Sequence, residues 1–296
     1  MKRQTFIKLA GLTGISTLFG MKGLSALQKY SESLSYSPRM PVLFLGHGSP
    51  MNAIEENQFV KGFREIGKTI PKPNAIICIS AHWYTRGTKV TAMEMPKTIH
   101  DFGGFPKALF DVQYPAEGNP ELATEVQSLI TSTPVDLDHD WGLDHGAWSV
   151  IKHLYPDADI PVIQMSIDYT KDPAYHFNLA KQLNELRDKG ILIIGSGNIV
   201  HNLRMVDFAN MDKDDYGYDW ALEARNTING YLLDGNYNPL LNYQKESRAL
   251  QLAIPTPDHY LPLIYTLGLR QGDEEQLLFN DKMLAGSLSM TSVRIG

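Results

Sequence analysis

Nine histidines stand against a single cysteine, Cys78, in this chain of 296 residues. Any metal or proton-transfer chemistry therefore runs through imidazole rather than through a thiolate cluster or a disulfide. Four of the nine sit where an apolar, strand-like run ends or a helix begins. His47 follows Pro41–Gly46 in the string Gly46-His47-Gly48-Ser49-Pro50, and His82 follows Asn74–Ala81 in Ser80-Ala81-His82-Trp83. His201 follows Gly190–Gly195 by way of Gly195-Ser196-Gly197-Asn198, and His259 lies in Pro255-Thr256-Pro257-Asp258-His259-Tyr260. Ligands of open α/β sheets bind beyond the carboxyl ends of the strands, so three imidazoles delivered to that edge could converge on one metal ion. Asp258 is placed either to cap the helix that follows or to orient the imidazole beside it. Each histidine taken alone also fits a hydrogen-bonded loop residue, and no pair forms a local His-x-x-x-His motif.

A fifth histidine, His145, lies in Trp141-Gly142-Leu143-Asp144-His145-Gly146-Ala147-Trp148. Its glycines let backbone approach a ligand, its tryptophans offer flat apolar walls, and the imidazole itself suits an acid/base or a donor to substrate oxygen. The same string also fits a tight turn pinned by two buried indoles. His100, in Ile99-His100-Asp101-Phe102-Gly103-Gly104-Phe105-Pro106, has the same double reading. His153 and His176 fall on expected helices and His139 in an acidic loop, so these three read as surface residues. Gly195-Ser196-Gly197 opens like a dinucleotide fingerprint without its third glycine, and no phosphate-loop Gly-Lys-Ser/Thr occurs. Ser49 lacks a Gly-x-Ser-x-Gly frame. Nucleotide binding and serine hydrolysis are therefore poorly supported.

To position these side chains the chain alternates β-branched apolar runs with amphipathic stretches, which is the signature of an α/β fold. Strands are expected at Pro41–Gly46, Asn74–Ala81, Lys89–Met93, Pro161–Ser166 and Gly190–Gly195. Helices are expected at Glu55–Thr69, Pro120–Ser132, Pro173–Asp188, Asp219–Asp234 and His259–Leu267. Strands apolar on both faces predict a single domain with a central, largely parallel or mixed sheet covered by helices on both sides. The stretch Glu94–Gly118, dense in Gly, Pro and aromatic residues, has no clean period and reads as a lid or pocket wall.

A formal charge of −6 with no run of Lys/Arg argues against nucleic acid as a partner. Residues 1–35 read as an export segment preceding a catalytic domain at 36–296. Lys2, Arg3 and Lys8 form its basic start, and Leu9–Met21 carries no charge. That run is too short for a stable membrane span. Arg3-Gln4-Thr5-Phe6-Ile7-Lys8 is similar to a twin-arginine signal with Gln4 in place of the second arginine, which predicts periplasmic export; a plain N-terminal extension on a cytoplasmic protein is the alternative.

Six strings in order resemble the 4,5-DOPA extradiol dioxygenase group of the class III (LigB-type) ring-cleaving dioxygenases. They are Gly46–Pro50, Ser80–Trp83, Asp101–Pro106, Leu143–Gly146, Gly195–Asn198 with His201-Asn202-Leu203, and Pro255–His259, and the resemblance spans about residues 40–270. It implies a mononuclear divalent metal, Zn(II) or Fe(II), held by His47, His82 and His259. His201 matches a position that is a ligand in the DOPA group and the acid/base in the wider class. His145 matches a catalytic, substrate-contacting histidine. The wider class completes its Fe(II) triad with a carboxylate, where this chain has His259. The expected reaction is extradiol cleavage of a small aromatic diol by O₂ to a muconate semialdehyde, with Trp83, Phe102, Phe105 and Trp148 packing the ring. Two rivals use the same histidines: a zinc hydrolase in which Asp258 or Asp144 is the base, and a protein that binds metal or catechol without turnover. Oligomeric state is not specified by any of these patterns.

Overall fold

The computed structural model describes residues 38–296, so the export segment expected at residues 1–35 lies outside the described residues. Eight strands form one mixed sheet in the order β4-β3-β5-β2-β6-β1-β10-β7. These are β1 (Val42–Gly46), β2 (Ala75–Thr85), β3 (Thr88–Thr91), β4 (Val135–Asp138), β5 (Val162–Asp168), β6 (Ile191–Gly197), β7 (Gln276–Phe279) and β10 (Ser292–Ile295). A separate hairpin pairs β8 (Met283–Leu284) with β9 (Leu288–Ser289). The four central strands β5, β2, β6 and β1 run parallel, while β10 joins β1 and β3 joins β5 antiparallel. The expected α/β architecture is therefore present, with a parallel centre and antiparallel additions on both sides.

Both faces of the centre are covered, as near-continuous apolar strands require. Leu43, Leu45, Ile76, Cys78, Leu192 and Ile194 share one core cluster with Ala147, Trp148, Val150 and Ile151 of the helix His145–Leu154. Residues alternate in direction along a strand, so the neighbours of these side chains face the other way. There a Cβ on Gly195 would fall 2.4 Å from the Pro262 carbonyl oxygen, which places the helix Leu261–Gly268 directly against that face.

Four expectations shift. The segment Pro173–Asp188 breaks into two helices, Pro173–Lys181 and Asn184–Arg187. The last expected helix starts at Leu261 with Tyr260 as its cap, so His259 precedes it and Asp258 does not cap it. His153 and His176 are buried rather than superficial: His153 Nε2 lies 2.7 Å from the Asn52 carbonyl oxygen and His176 Nδ1 lies 2.9 Å from the Tyr265 hydroxyl. A place on a helix does not decide exposure, and these two helices are packed on more than one side. β4, β7 and β10 carry too little apolar pattern in four residues each to be read from sequence.

The loop Glu94–Gly118 closes on itself, Gly118 N–H donating to the Glu94 carbonyl oxygen at 2.7 Å. His100 holds its interior, its Nε2 lying 2.9 Å from the Val112 carbonyl oxygen. That is the structural one of its two readings. No helix among the described residues is long and apolar enough to cross a membrane.

A candidate active site floored by five histidines

His47 emerges one residue past β1, its N–H donating to the Gly197 carbonyl oxygen at the end of β6. His82 sits in the far half of β2, where the register with β5 shifts between Ile79 and Tyr84. Such an irregularity re-aims side chains at the end of a strand. His145 is the first residue of its helix, capped by the Asp144 side chain, which accepts from Ala147 N–H at 3.1 Å. His201 hangs on the loop after β6, its N–H donating to the Ala253 carbonyl oxygen. His259 is drawn in by its own carbonyl, which accepts from Asn198 N–H at 2.8 Å. That approach requires glycine at 197, where a Cβ would lie 2.1 Å from the His259 carbonyl oxygen.

The five imidazoles meet at one end of the parallel strands. Ring centroids of His47, His82 and His259 are 5.1, 5.2 and 5.0 Å apart, an almost equilateral triangle. His145 lies 3.9 Å from His82 and 5.7 Å from His47. His201 stacks on His259, with centroids 3.5 Å apart and planes 8° from parallel. By proximity alone their ring nitrogens, with the Asp258 carboxylate, fall into two compact groups, His47–His82–His145 and His201–Asp258–His259.

Each of four rings has an oxygen behind its Nδ1. His47 Nδ1 lies 3.0 Å from Ser196 Oγ, whose own proton goes to the Gly146 carbonyl oxygen at 2.5 Å. Ser196 must therefore accept from His47, which leaves His47 Nε2 with a free lone pair. His259 Nδ1 lies 2.5 Å from Asp258 Oδ2. A single oxygen, Asp101 Oδ2, stands 3.0 Å from His145 Nδ1 and 3.4 Å from His82 Nδ1, while Asp101 Oδ1 accepts from His145 N–H at 2.9 Å. The acceptors hydrogen-bonded to His47 and His259 fix the tautomer and aim the other nitrogen, the usual support of a metal-ligating histidine, while Asp101 faces His82 and His145 as a shared ion-pair contact. His47 Nε2 and His82 Nε2 accordingly face each other at 3.3 Å.

Burial, reinforced by neighbouring imidazoles, holds His47 and His82 well below the ordinary histidine range. His201 falls to about 3, first through burial and then through His259. All three are neutral at pH 7, the state in which imidazole is a ligand or a base. Burial pushes the Asp101 carboxyl upward, but the hydrogen bonds and charge of His145 bring it down to about 2. Asp258 is also held low, because contact with His259 outweighs its burial. Asp144 is not available as a base. Its carboxylate is fully buried and accepts from Ser80 Oγ at 2.6 Å and Gln164 Nε2 at 2.7 Å.

All five histidines line one cavity of about 330 Å³. Of the four aromatic residues expected to pack a substrate ring, Phe105 lines this cavity and Phe102 sits just outside it, 5.5 Å from the His145 ring. Trp83 and Trp148 are not in the wall. Trp83 points away from its neighbour His82, as strand alternation demands, and stacks on Trp141 at 5.7 Å. Trp148 is fully buried with its Nε1–H on the Ile99 carbonyl oxygen. Sequence reasoning missed Ser196 as a support and used Asp101 only as part of a motif. It also missed the lip Leu203–Met211, whose signal was a cluster of apolar residues in an aperiodic segment just after His201.

Residues 36–290 match the family model described as the catalytic LigB subunit of aromatic ring-opening dioxygenase. The chain is 49% identical over 264 residues to the 4,5-DOPA dioxygenase extradiol of Escherichia coli (strain K12), spanning 88% of this chain and 96% of that one. It is 35% identical over 257 residues to the 4,5-DOPA dioxygenase extradiol of Beta vulgaris, spanning 85% and 94%. The crystal structure of an uncharacterized protein from Escherichia coli K12 matches with a TM-score of 0.74 and 44% identity, over 87% of this chain and all of that one. Fold, cavity and relatives together define an enzyme of the aromatic ring-opening dioxygenase class. The chain belongs to the LigB family and is an extradiol dioxygenase, an oxidoreductase, which sets aside the hydrolase and binding-only readings.

Proposed function

We propose that this enzyme opens the ring of a catechol with O₂, using one mononuclear divalent ion held by His47, His82 and His259. The observation that carries the reading is the triangle of ring centroids. Three imidazoles bound to a common ion through Nε2, with bonds of about 2.1 Å at tetrahedral angles, have centroids about 5.2 Å apart. The sides measured here are 5.0 to 5.2 Å. His145, at 3.9 and 5.7 Å, fits that geometry less well. His201 does not share an ion with His259, because lone pairs lie in the ring plane and two parallel planes 3.5 Å apart do not meet at one ligand point. When bound, the ion lowers the pKa of the catechol hydroxyls and, if it is iron, gives electrons a path to O₂.

The chain's own residues supply the rest. Ser196 and Asp258 keep the ligand tautomers in place, and Asp101 faces His82 as an ion-pair contact. His201, neutral and beside the ligands, takes a catechol proton and returns it as acid to a product oxygen as the ring opens. His145, aimed by Asp101 through two contacts, holds the substrate oxygen. Phe105 and the apolar wall above it pack the ring and exclude water. Both atoms of O₂ end in the muconate semialdehyde together with the two catechol oxygens, so no external reductant is required.

The test is anaerobic reconstitution with Fe(II) or Zn(II), each followed by O₂ uptake and product absorbance with a catechol panel. Fe(II)-dependent uptake matched to product is expected, with Zn(II) retained and inert, since zinc has no redox chemistry. Turnover with neither metal across the panel would remove the catechol reading. Residues 1–35 are proposed to direct export, which a reporter fusion checks by fractionation.

A further inference from the structure

Beneath the first turn of the helix that carries His145 lies a group of polar side chains shut off from solvent. Asp144, Gln164 and Ser80 are fully buried and Thr91 is nearly so. Gln164 stands on β5, paired with Cys78 of β2 just before the register shift on the way to His82. Its amide grips Asp144 at two points. Oε1 accepts from the Asp144 backbone N–H at 2.8 Å, and Nε2 donates to Asp144 Oδ2 at 2.7 Å. A backbone N–H can only donate, so these partners fix which way the amide faces. Gln164 is tied down in turn, its own N–H donating to Thr91 Oγ1 at 2.8 Å. The other carboxylate oxygen, Asp144 Oδ1, accepts from Ser80 Oγ at 2.6 Å and from Ala147 N–H at 3.1 Å.

A helix cap needs only the last of these contacts. The others fasten the residue before His145 to three strands, β2 through Ser80, β3 through Thr91 and β5 through Gln164. The helix start has little room to drift, because a Cβ on Gly146 would fall 2.5 Å from Ser80 Oγ and 2.8 Å from His82 Cδ2. His145 is therefore set from two sides, by Asp101 at its own N–H and ring, and by Gln164 one residue earlier. A buried polar network with its bonds made is rigid, which is what an aimed side chain requires of its support. Gln164 itself is not part of the cavity wall.

We propose, resting on the reading above in which His145 holds the substrate oxygen, that Gln164 is a positioning residue for ring opening. Its two-point clamp on Asp144 sets where the His145 ring stands beside His47 and His82.

The test exchanges donors and acceptors within the clamp. Gln164→Glu alone turns one carboxylate oxygen against another. Asp144→Asn alone keeps a good helix cap but turns amide against amide, and rotating Gln164 relieves that contact only by setting its NH₂ against the backbone N–H. The double variant Asp144→Asn/Gln164→Glu restores both bonds, since a carboxylate at 164 accepts from the backbone N–H and from the new side-chain amide at 144. Three quantities are read for each protein: kcat from O₂ uptake of the Fe(II) form with a catechol, metal content, and the His145 Cε1–H NMR resonance of the Zn(II) form. The resonance is assigned by its loss in His145→Gln. Gln164→Met and both single exchanges should lower kcat about 10- to 100-fold, as a misplacement of about 1 Å does, keep their metal and move the resonance. The double variant should return kcat to within about threefold of the parent and the resonance to its parent position. A double variant no closer to the parent than the single ones overturns the role of the clamp. So does Gln164→Met with full kcat or an unmoved resonance, or metal lost in step with activity. A resonance that moves and returns in a protein that turns over no catechol counts against the catechol reading and leaves the clamp standing.

Discussion

At the floor of the cavity, four of five imidazoles have an oxygen behind them, and those oxygens are themselves tied to strand ends and a helix start. At the lip, Leu203 and Phe208 are 63% and 79% exposed, on two single 3₁₀ turns. Asp207 anchors the lip, its N–H donating to the Ala285 carbonyl oxygen and its carboxylate accepting from the Tyr216 hydroxyl at 3.0 Å and Asn210 Nδ2 at 2.7 Å. One region is fixed by polar contacts around the rings, and the other is apolar and exposed beside the same cavity. The proposed function places the ring chemistry on the first, so the two can be perturbed separately.

The sharpest way to break the contrast is at the floor. His47→Ala or His82→Ala should abolish metal retention through dialysis and lower kcat by about a thousandfold or more, as seen by metal analysis beside oxygen uptake. Retention of a full equivalent of metal by either variant would move the ligand set elsewhere. Asp101→Ala should act more mildly, because it removes a support rather than a ligand. A fall of about 10- to 100-fold in kcat or metal affinity is expected, and Asp101→Asn should recover part of it through the His145 N–H contact.

A third test uses acid. The unfolded chain protonates histidine near pH 6.5, whereas buried His176 resists until about pH 4, mainly through desolvation. Between those values the unfolded state binds more protons, so stability falls as pH drops across the window and is fully present above it. His201 adds to the trend with its lower limit near 3. Urea midpoints of metal-free protein should therefore decline from pH 6.5 to 4, and His176→Gln should flatten that slope by up to about 3 kcal/mol. The smallest effect belongs to the lip. Phe208→Ala should change stability by no more than about 0.5 kcal/mol, while raising KM for a catechol a few-fold.

How much of this was legible in the sequence follows the same division. His47 and His201 could be placed because a strand end is a local signal, and β1 and β6 are long enough to show it; His82 was read as just past a strand that in fact continues to Thr85. Asp101 could not be assigned its double contact, since it lies 19 residues after one histidine and 44 before the other in an aperiodic loop. Ser196 was hidden in a string that opens like a dinucleotide fingerprint, whereas its hydroxyl supports His47 and Gly197 beside it makes room for His259. Trp83 was misassigned through proximity in sequence, although strand alternation already turns it away from His82. Trp148 shares a helix with His145 yet is consumed by the core.

The order of strands also bears on when the enzyme becomes active during folding. The triangle draws on residues 47, 82 and 259, and the strand that flanks β1 on its outer side, β10, is the last segment of the chain. Contacts of such long sequence separation form late, because loop closure must precede them. A nascent chain emerging from the ribosome therefore carries two of the three triangle histidines for most of its synthesis without a complete site. With the proposed ligand set, capture of an ion would report that the segment carrying His259 has already docked against the strands that carry His47 and His82.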